Sequence, residues 1–226
     1  MGSEKIVVFD IIGTCFSLEK PQQQLIELGA PRYALELWFA QSLRDAFAFS
    51  HGGDYRPLKE ILQAELPRTL ETFGIKLDST QVSQTMKTFG ELELQPFAEE
   101  AFEVLAKSGW KIFALTNGSK DSTLNLLERA KVQNYFSQVY SVDEIGVTKP
   151  HRNVYKMIKA DDLSQVWLVA AHAWDIAGAL SIGMKTAFVT QLESSYLAAY
   201  PQPQIEVENL LEAAHQIIKI DQDLAT

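Results

Sequence analysis

Asp10 follows a short run of β-branched and aromatic residues, Ile6-Val7-Val8-Phe9, and precedes Gly13 and Thr14. A carboxylate at the C-terminal end of a buried strand stands where open α/β sheets bind ligands, because loops diverge there and helix N-termini point into the crevice. Gly13 permits a sharp turn and Thr14 adds a hydroxyl. Taken alone, such an aspartate is more often a turn-capping residue, so the other strand ends decide. The run ending at Leu115 leads into Thr116-Asn117-Gly118. A third run leads to Thr148-Lys149-Pro150 with Tyr155 beyond it, and a fourth to His172, Trp174 and Asp175. Nothing structural requires two carboxylates and a lysine on one rim. Their convergence predicts a site that binds and acts on a small molecule.

These groups meet only if strands present them. Residues 5–9, 111–115, 138–142, 166–170 and 186–189 form runs too short for helices, most of them apolar on both faces, as in buried parallel strands. Between them, residues 96–108, 120–131, 153–159 and 175–182 carry helical patterns. Alternating strands and helices predict right-handed βαβ units and an α/β fold with a doubly wound parallel sheet. Residues 16–95 break the rhythm and contain no convincing strand. Pro31 suits a first helical turn, and Leu35, Phe39, Leu43 and Phe47 then recur along one helix face. Residues 57–66 and 79–89 add further helices. The expected organisation is a core of residues 1–15 and 96–226 with an inserted helical cap at 16–95.

Composition narrows the function classes. The 226 residues are 46% hydrophobic and 22% charged, which favours a packed core over disorder. A net charge of −9 gives no support to nucleic-acid binding, which needs phosphate neutralisation, or to anionic membrane surfaces. Cys15 is the only cysteine, so no internal disulfide forms. The first apolar run is short and ends at Asp10, unlike a signal peptide, and no run reaches the roughly 20 apolar residues of a membrane span. After Met1-Gly2-Ser3, Ile6 occupies the place where myristoylation wants Ser or Thr. A cytoplasmic location is the default expectation.

The segments Asp10-Ile11-Ile12-Gly13-Thr14, Thr116-Asn117-Gly118, Lys149-Pro150 with Tyr155, and Trp174-Asp175 followed by Gly178-Ala179 resemble the motifs of the haloacid dehalogenase superfamily, and within it the 2-haloacid dehalogenase branch. The resemblance spans essentially the whole chain. It implies a Rossmann-like core with a helical cap, usually paired as a homodimer. It also implies that Asp10 attacks the halogen-bearing carbon and forms an ester, which water hydrolyses at the Asp10 carbonyl. Lys149 then keeps Asp10 ionised and Asp175 orients Lys149. Thr14, Thr116 and Asn117 hold substrate or nucleophile by hydrogen bonds, and Tyr155 belongs to the same group. Trp174 matches an aromatic that lines the family's pocket, core packing being the alternative. Phe16, Trp38 and Phe39 read as apolar cap–core surface, part of it able to enclose a substrate.

Most of that superfamily are Mg²⁺-dependent phosphatases with a second aspartate, two residues after the nucleophile, as general acid. Ile12 stands there in this chain and cannot move a proton. Ala171 stands four residues before Asp175, where a further acid is common. Asp10, one backbone carbonyl and Asp175 are a thin oxygen set for Mg²⁺, and Lys149 competes for both carboxylates. A halide leaves as an anion and needs no proton. The expected activity is therefore metal- and cofactor-free hydrolysis of a short 2-haloacid. A Mg²⁺ phosphatase and a catalytically weak protein that binds a small acid are the alternatives.

Two positions depart from the family pattern. Relatives carry an arginine on the first cap helix, near a Leu-Trp pair, that meets the halide or carboxylate; after Leu37-Trp38 this chain has Phe39. Arg44 lies about one and a half turns further on, with Gln41 on the same side. It reads either as a substrate contact or as a surface arginine beside Asp45. In the water-positioning segment, Ala170 and His172 stand where relatives often have Ser and Asn. His172 reads either as a group that orients or deprotonates the hydrolytic water or as a loop histidine bonded to backbone.

Overall fold

The computed structural model describes residues 4–224; the Met1-Gly2-Ser3 start lies outside them. Strands β1 (Ile6–Phe9), β2 (Lys111–Thr116), β3 (Phe136–Ser141), β4 (Trp167–Ala170), β5 (Lys185–Val189) and β6 (Ile205–Val207) form one parallel sheet in the order β3-β2-β1-β4-β5-β6. The helices are α1 (Glu19–Glu27), α2 (Ala34–Gly52), α3 (Leu58–Glu71), α4 (Ser79–Lys87), α5 (Ala98–Lys107), α6 (Lys120–Arg129), α7 (Arg152–Tyr155), α8 (Ala173–Leu180) and α9 (Leu210–Leu224).

The chain builds outward from β1 to β2 and β3 on one side, then returns to β4, β5 and β6 on the other. The order therefore reverses between β1 and β4, where the loops after the two strands part and leave a crevice. Every residue of β1 is buried. Its side chains alternate, as a pleated strand demands: Val7 and Phe9 join one apolar cluster with Phe102, Leu105 and Ile217, while Ile6 and Val8 join another with Val154, Ile176 and Phe188. Both faces of the sheet are thus covered by helices.

Helices α1 to α4 lie between β1 and β2 in the chain and belong to the first of those clusters. Leu35, Phe39 and Leu43 of α2 are buried, as their spacing predicts. Trp38 is fully buried, donates its indole N–H to Leu62 O at 2.9 Å and meets Phe89 edge to face. Burial of each such large side chain is worth about 2–3 kcal/mol. At the base of this helical insertion its two ends pair with each other: Ser17 N donates to Glu93 O and Gln95 N to Cys15 O, both at 2.8 Å, beside a Phe16–Leu94 bridge.

Some elements differ from the sequence reading. Helix α3 runs past Leu66 and through Pro67 because Leu66, Thr69 and Leu70 stay buried; the lost amide donor is a smaller cost. The helix expected at 153–159 ends at Tyr155, where the chain tightens into i→i−3 turns at Met157 and Ile158. Strand β6, three residues with Glu206 exposed between two buried neighbours, and helix α9 were not foreseen. Among the described residues no helix is long and apolar enough to cross a membrane.

Candidate active site

Asp10 continues the β1 ladder by donating its N–H to Val169 O at 3.0 Å, which fixes the start of the loop that follows. The loop turns at Gly13, whose φ of 86° suits glycine. A Cβ there would lie 3.0 Å from Leu192 Cδ2 and 3.1 Å from His172 Nε2, so the glycine also allows His172 to close over the loop. Thr14 accepts from Ala171 N at 2.9 Å, which turns its hydroxyl proton toward Asp10 Oδ2, 2.5 Å away.

Lys149 is fully buried and its ammonium has three acceptors: Asp10 Oδ1 and Asp175 Oδ2, each at 2.7 Å, and Leu115 O at 3.0 Å. Those bonds use all three of its protons. Its backbone N–H is held by Asn117 Oδ1 at 2.9 Å. Asp175, in the first turn of α8, accepts on Oδ1 from the Tyr155 hydroxyl at 2.6 Å. Tyr155 reaches it because α8 carries Gly178 at the crossing, where a Cβ would come within 2.2 Å of the phenol oxygen. The segments at the ends of β1 to β4, with α7, thus build one buried network.

Electrostatics follow from this packing. Burial pushes the Asp10 carboxyl up, but the charges of Lys149 and His172 and the Lys149 and Thr14 hydrogen bonds outweigh it and hold Asp10 below the ordinary aspartate range. Burial pulls the Lys149 ammonium down, yet Asp10 and Asp175 raise it above the usual lysine value. Asp175 is pushed up, by burial first and by the Asp10 charge. Burial, with the Asp10 charge, also keeps the Cys15 thiol protonated and inert; its Sγ donates to Asp10 O at 3.1 Å.

A divalent metal does not fit this donor set. All four carboxylate oxygens of Asp10 and Asp175 already accept from Thr14, Lys149 or Tyr155. The ammonium sits between the two acids and already supplies the positive charge that pairs them. Among the described residues no group of three or more His, Cys, Asp or Glu is placed to hold an ion.

Over Asp10 lies a narrow crevice with a cavity volume of only about 10 Å³, bounded by Ile12, Leu43, Leu58, Thr116, Asn117 and Gly118 and by three stacked rings. The rings are Phe39, His172 and Trp174: His172 lies 6.0 Å from Phe39 and 5.0 Å from Trp174, at interplanar angles of 19° and 23°. Asp10 itself is only 4% exposed. Larger clefts flank the crevice on either side: one shares Ile12, Leu58 and Gly118 with it, the other Phe39, Leu43, His172 and Trp174.

The structure therefore brings together Asp10, Thr14, Lys149, Tyr155 and Asp175 as a network, and Thr116, Asn117, Phe39, His172 and Trp174 as walls. Thr116 Oγ1 accepts from Gly118 N at 2.9 Å, which shapes the turn. Tyr155 is buried behind Asp175 and does not line the crevice, so it acts on the acid rather than on a ligand. Arg44 does not join the site. Its guanidinium forks onto Asp45 at 2.8 and 2.9 Å on the outer cleft, and α2 turns Phe39 and Leu43, not Arg44, toward Asp10. Glu193 escaped the sequence reading: it accepts from Ala173 N at 3.2 Å and lies 3.6 Å from His172 Nδ1. It follows β5 without any motif; only its place after a strand end could have drawn notice.

Residues 50–189, more than half of the chain, match the family model described as haloacid dehalogenase-like hydrolase. The (S)-2-haloacid dehalogenase of Pseudomonas sp. (strain YL) is 27% identical over 213 residues, 91% of each chain. That of Xanthobacter autotrophicus is 27% identical over 199 residues, 86% of this chain and 78% of its own. The solved structure of L-2-haloacid dehalogenase from Xanthobacter autotrophicus superposes with a TM-score of 0.85 at 23% identity, covering 95% of this chain and 98% of that one. The protein with Asp10, Lys149 and Asp175 locked at its sheet crevice therefore belongs to the haloacid dehalogenase-like hydrolases.

Proposed function

We propose that the protein hydrolyses the carbon–halogen bond of a short 2-haloacid through an ester on Asp10. One observation carries the reading: Lys149 fills the space between two buried carboxylates and keeps Asp10 ionised, and no second carboxyl group lines the crevice. A carboxylate oxygen of Asp10 attacks the sp³ carbon, a C–O bond forms, and the halide departs with the electron pair of the broken bond. Water then adds to the Asp10 carbonyl carbon and the acyl–oxygen bond breaks. The products are a 2-hydroxyacid, halide and one proton, and Asp10 is regenerated. The carbon centre is inverted once, because the second step never touches it.

The walls suit such a substrate. Phe39, Ile12, Leu58 and Trp174 exclude water around the carboxylate, which strengthens it as a nucleophile. With Oδ1 of Asn117 taken by Lys149 N, its amide nitrogen is the group left to donate into the crevice. The relatives support the choice: several are named (S)-2-haloacid dehalogenases, and one is haloacetate dehalogenase H-2 of Moraxella sp. (strain B). A similar Xanthobacter autotrophicus enzyme has been solved with chloropropionic acid covalently bound. The test is halide release from 2-chloropropionate, chloroacetate and fluoroacetate beside phosphate release from p-nitrophenyl phosphate, with and without Mg²⁺. Halide release that ignores chelators is expected. Phosphate release that requires Mg²⁺, without halide release, overturns the reading.

A further inference from the structure

An anionic substrate entering this crevice must find a cation, and the side chains lining it offer few. Lys149 has spent its three protons inside the network. Arg44 lies on the outer cleft, forked onto Asp45. Helix α2 contributes only Phe39 and Leu43 to the crevice. Of the described residues that line it, His172 alone can carry positive charge.

We infer that His172 stands in the resting enzyme as an imidazolium that receives the negative group of the ligand, with Glu193 as its positioning residue. The geometry around the ring makes the case. Nδ1 faces Glu193 Oε1 at 3.6 Å; Nε2 faces Ile12 O at 3.2 Å and Asp10 Oδ2 at 3.9 Å. A neutral imidazole bears a lone pair on one nitrogen, and here either lone pair would meet oxygen. Protonation at both positions removes the clash. Glu193 is held in place by the Ala173 amide at the start of α8, so its carboxylate is fixed on the ring's outer edge. Phe39 and Trp174 both stack on the ring, and aromatic faces favour a cation beside them.

The charged groups around His172 divide unevenly. Glu193 follows β5, Asp10 ends β1 and Asp175 opens α8, all acidic; Lys149 opposes them from the loop before α7. Glu36 and Arg44 of α2 face the outer cleft, which His172 also borders. Burial pulls the imidazole down, but Glu193, Asp10 and Asp175 outweigh it and Lys149, leaving the ring above its ordinary value of 6.5. The cation is thus present below that raised value and lost as pH climbs through it. Asp10 is held low, and Lys149, Tyr155 and Cys15 are pushed up, away from that window; Asp175 is pushed up toward it, and the His172→Gln variant separates the two groups. With His172 protonated, Lys149 and His172 offset two of the three carboxylates around them, Asp10, Asp175 and Glu193, which lowers the repulsion an incoming anion meets. In this state the ring has no lone pair with which to deprotonate water, and with its N–H groups turned to Glu193 and Ile12 O it acts on the anion through its charge.

The inference takes the ligand's chemistry from the dehalogenase reading, so its test avoids turnover. Calorimetric titration of the whole protein with propionate, propionamide and bromide, none of which it can dehalogenate, reads the anion site directly. Propionate should bind about tenfold more tightly near pH 6 than near pH 9, and propionamide should show no such change. His172→Gln should weaken propionate binding about tenfold and flatten its pH dependence. Glu193→Gln, which keeps the imidazole, should move the inflection to lower pH. Bromide that displaces propionate marks one site for carboxylate and halide; bromide that does not marks a site for carboxylate alone. Propionate affinity that is independent of pH, absent, or unchanged in His172→Gln overturns the inference. Intact propionate binding without halide release from any 2-haloacid would instead defeat the dehalogenase reading and leave this one standing.

Discussion

Each carboxylate oxygen of Asp10 and Asp175 has a donor assigned to it, and removal of one donor has calculable effects. Lys149→Met leaves two buried acids facing each other without their cation. Breaking such a buried pair costs about 3–5 kcal/mol, to be read by urea unfolding, and halide release should vanish; a loss under about 1 kcal/mol would mean the acids are solvated after all. His172 supplies a second prediction with a fixed sign. Its raised value means that it stabilises the fold below its ordinary 6.5 and that this contribution fades as pH rises through the folded value. The stability difference between wild type and His172→Gln should therefore shrink from about pH 6 to about pH 9. A difference that grows contradicts the charge assignment. At this scale the sequence was readable where a motif flanked the residue. Asp10, Lys149 and Asp175 were each marked by a strand end, whereas Glu193 was invisible because its role arises from where β5 releases the chain, not from any neighbour in sequence.

Among the elements, the α7–α8 crossing is the tightest constraint on the site. Gly178 lets the Tyr155 ring lie against α8 and reach Asp175. Gly178→Ala should overpack that crossing at a cost of about 1–3 kcal/mol, lower Tm by several degrees and reduce halide release as the Tyr155 bond is displaced. An alanine variant with unchanged Tm and rate would show that the crossing yields freely. The five strands nearest the site were legible because buried parallel strands are apolar runs bounded by turns, and α2 because Leu35, Phe39 and Leu43 keep one face. Strand β6 was not, since three residues carry too little pattern. The extent of α3 was misread for another reason: Pro67 is a local stop signal that the buried Leu66–Leu70 face overrides. Arg44 shows the limit of periodicity, which leaves a substrate contact and a surface pairing beside Asp45 both open; the structure has the second.

For the molecule as a whole, the depth of Asp10 sets the behaviour. At 4% exposure it cannot meet a substrate unless α1 to α4 and the core part at the crevice. The two sides are tied at their base by the paired segments at 15–17 and 93–95, and at the far end by the Tyr55–Asp143 hydrogen bond and by Ser50 Oγ, which accepts from Thr148 N at 3.1 Å. The latter tie ends one residue before Lys149, so opening and the charged network are neighbours in the chain. Tyr55→Phe should speed amide exchange at Thr148 and in the last turn of α2; unchanged exchange would place the moving segment elsewhere. The central claim is chemical, and isotope transfer tests it most directly. In a single turnover of 2-chloropropionate with enzyme in excess in H₂¹⁸O, one ¹⁸O should enter the Asp10 carboxylate, found by mass spectrometry of the Asp10 peptide, and the 2-hydroxyacid should carry none. Label in the product with Asp10 unlabelled would mean that water attacks the carbon directly and that no ester forms.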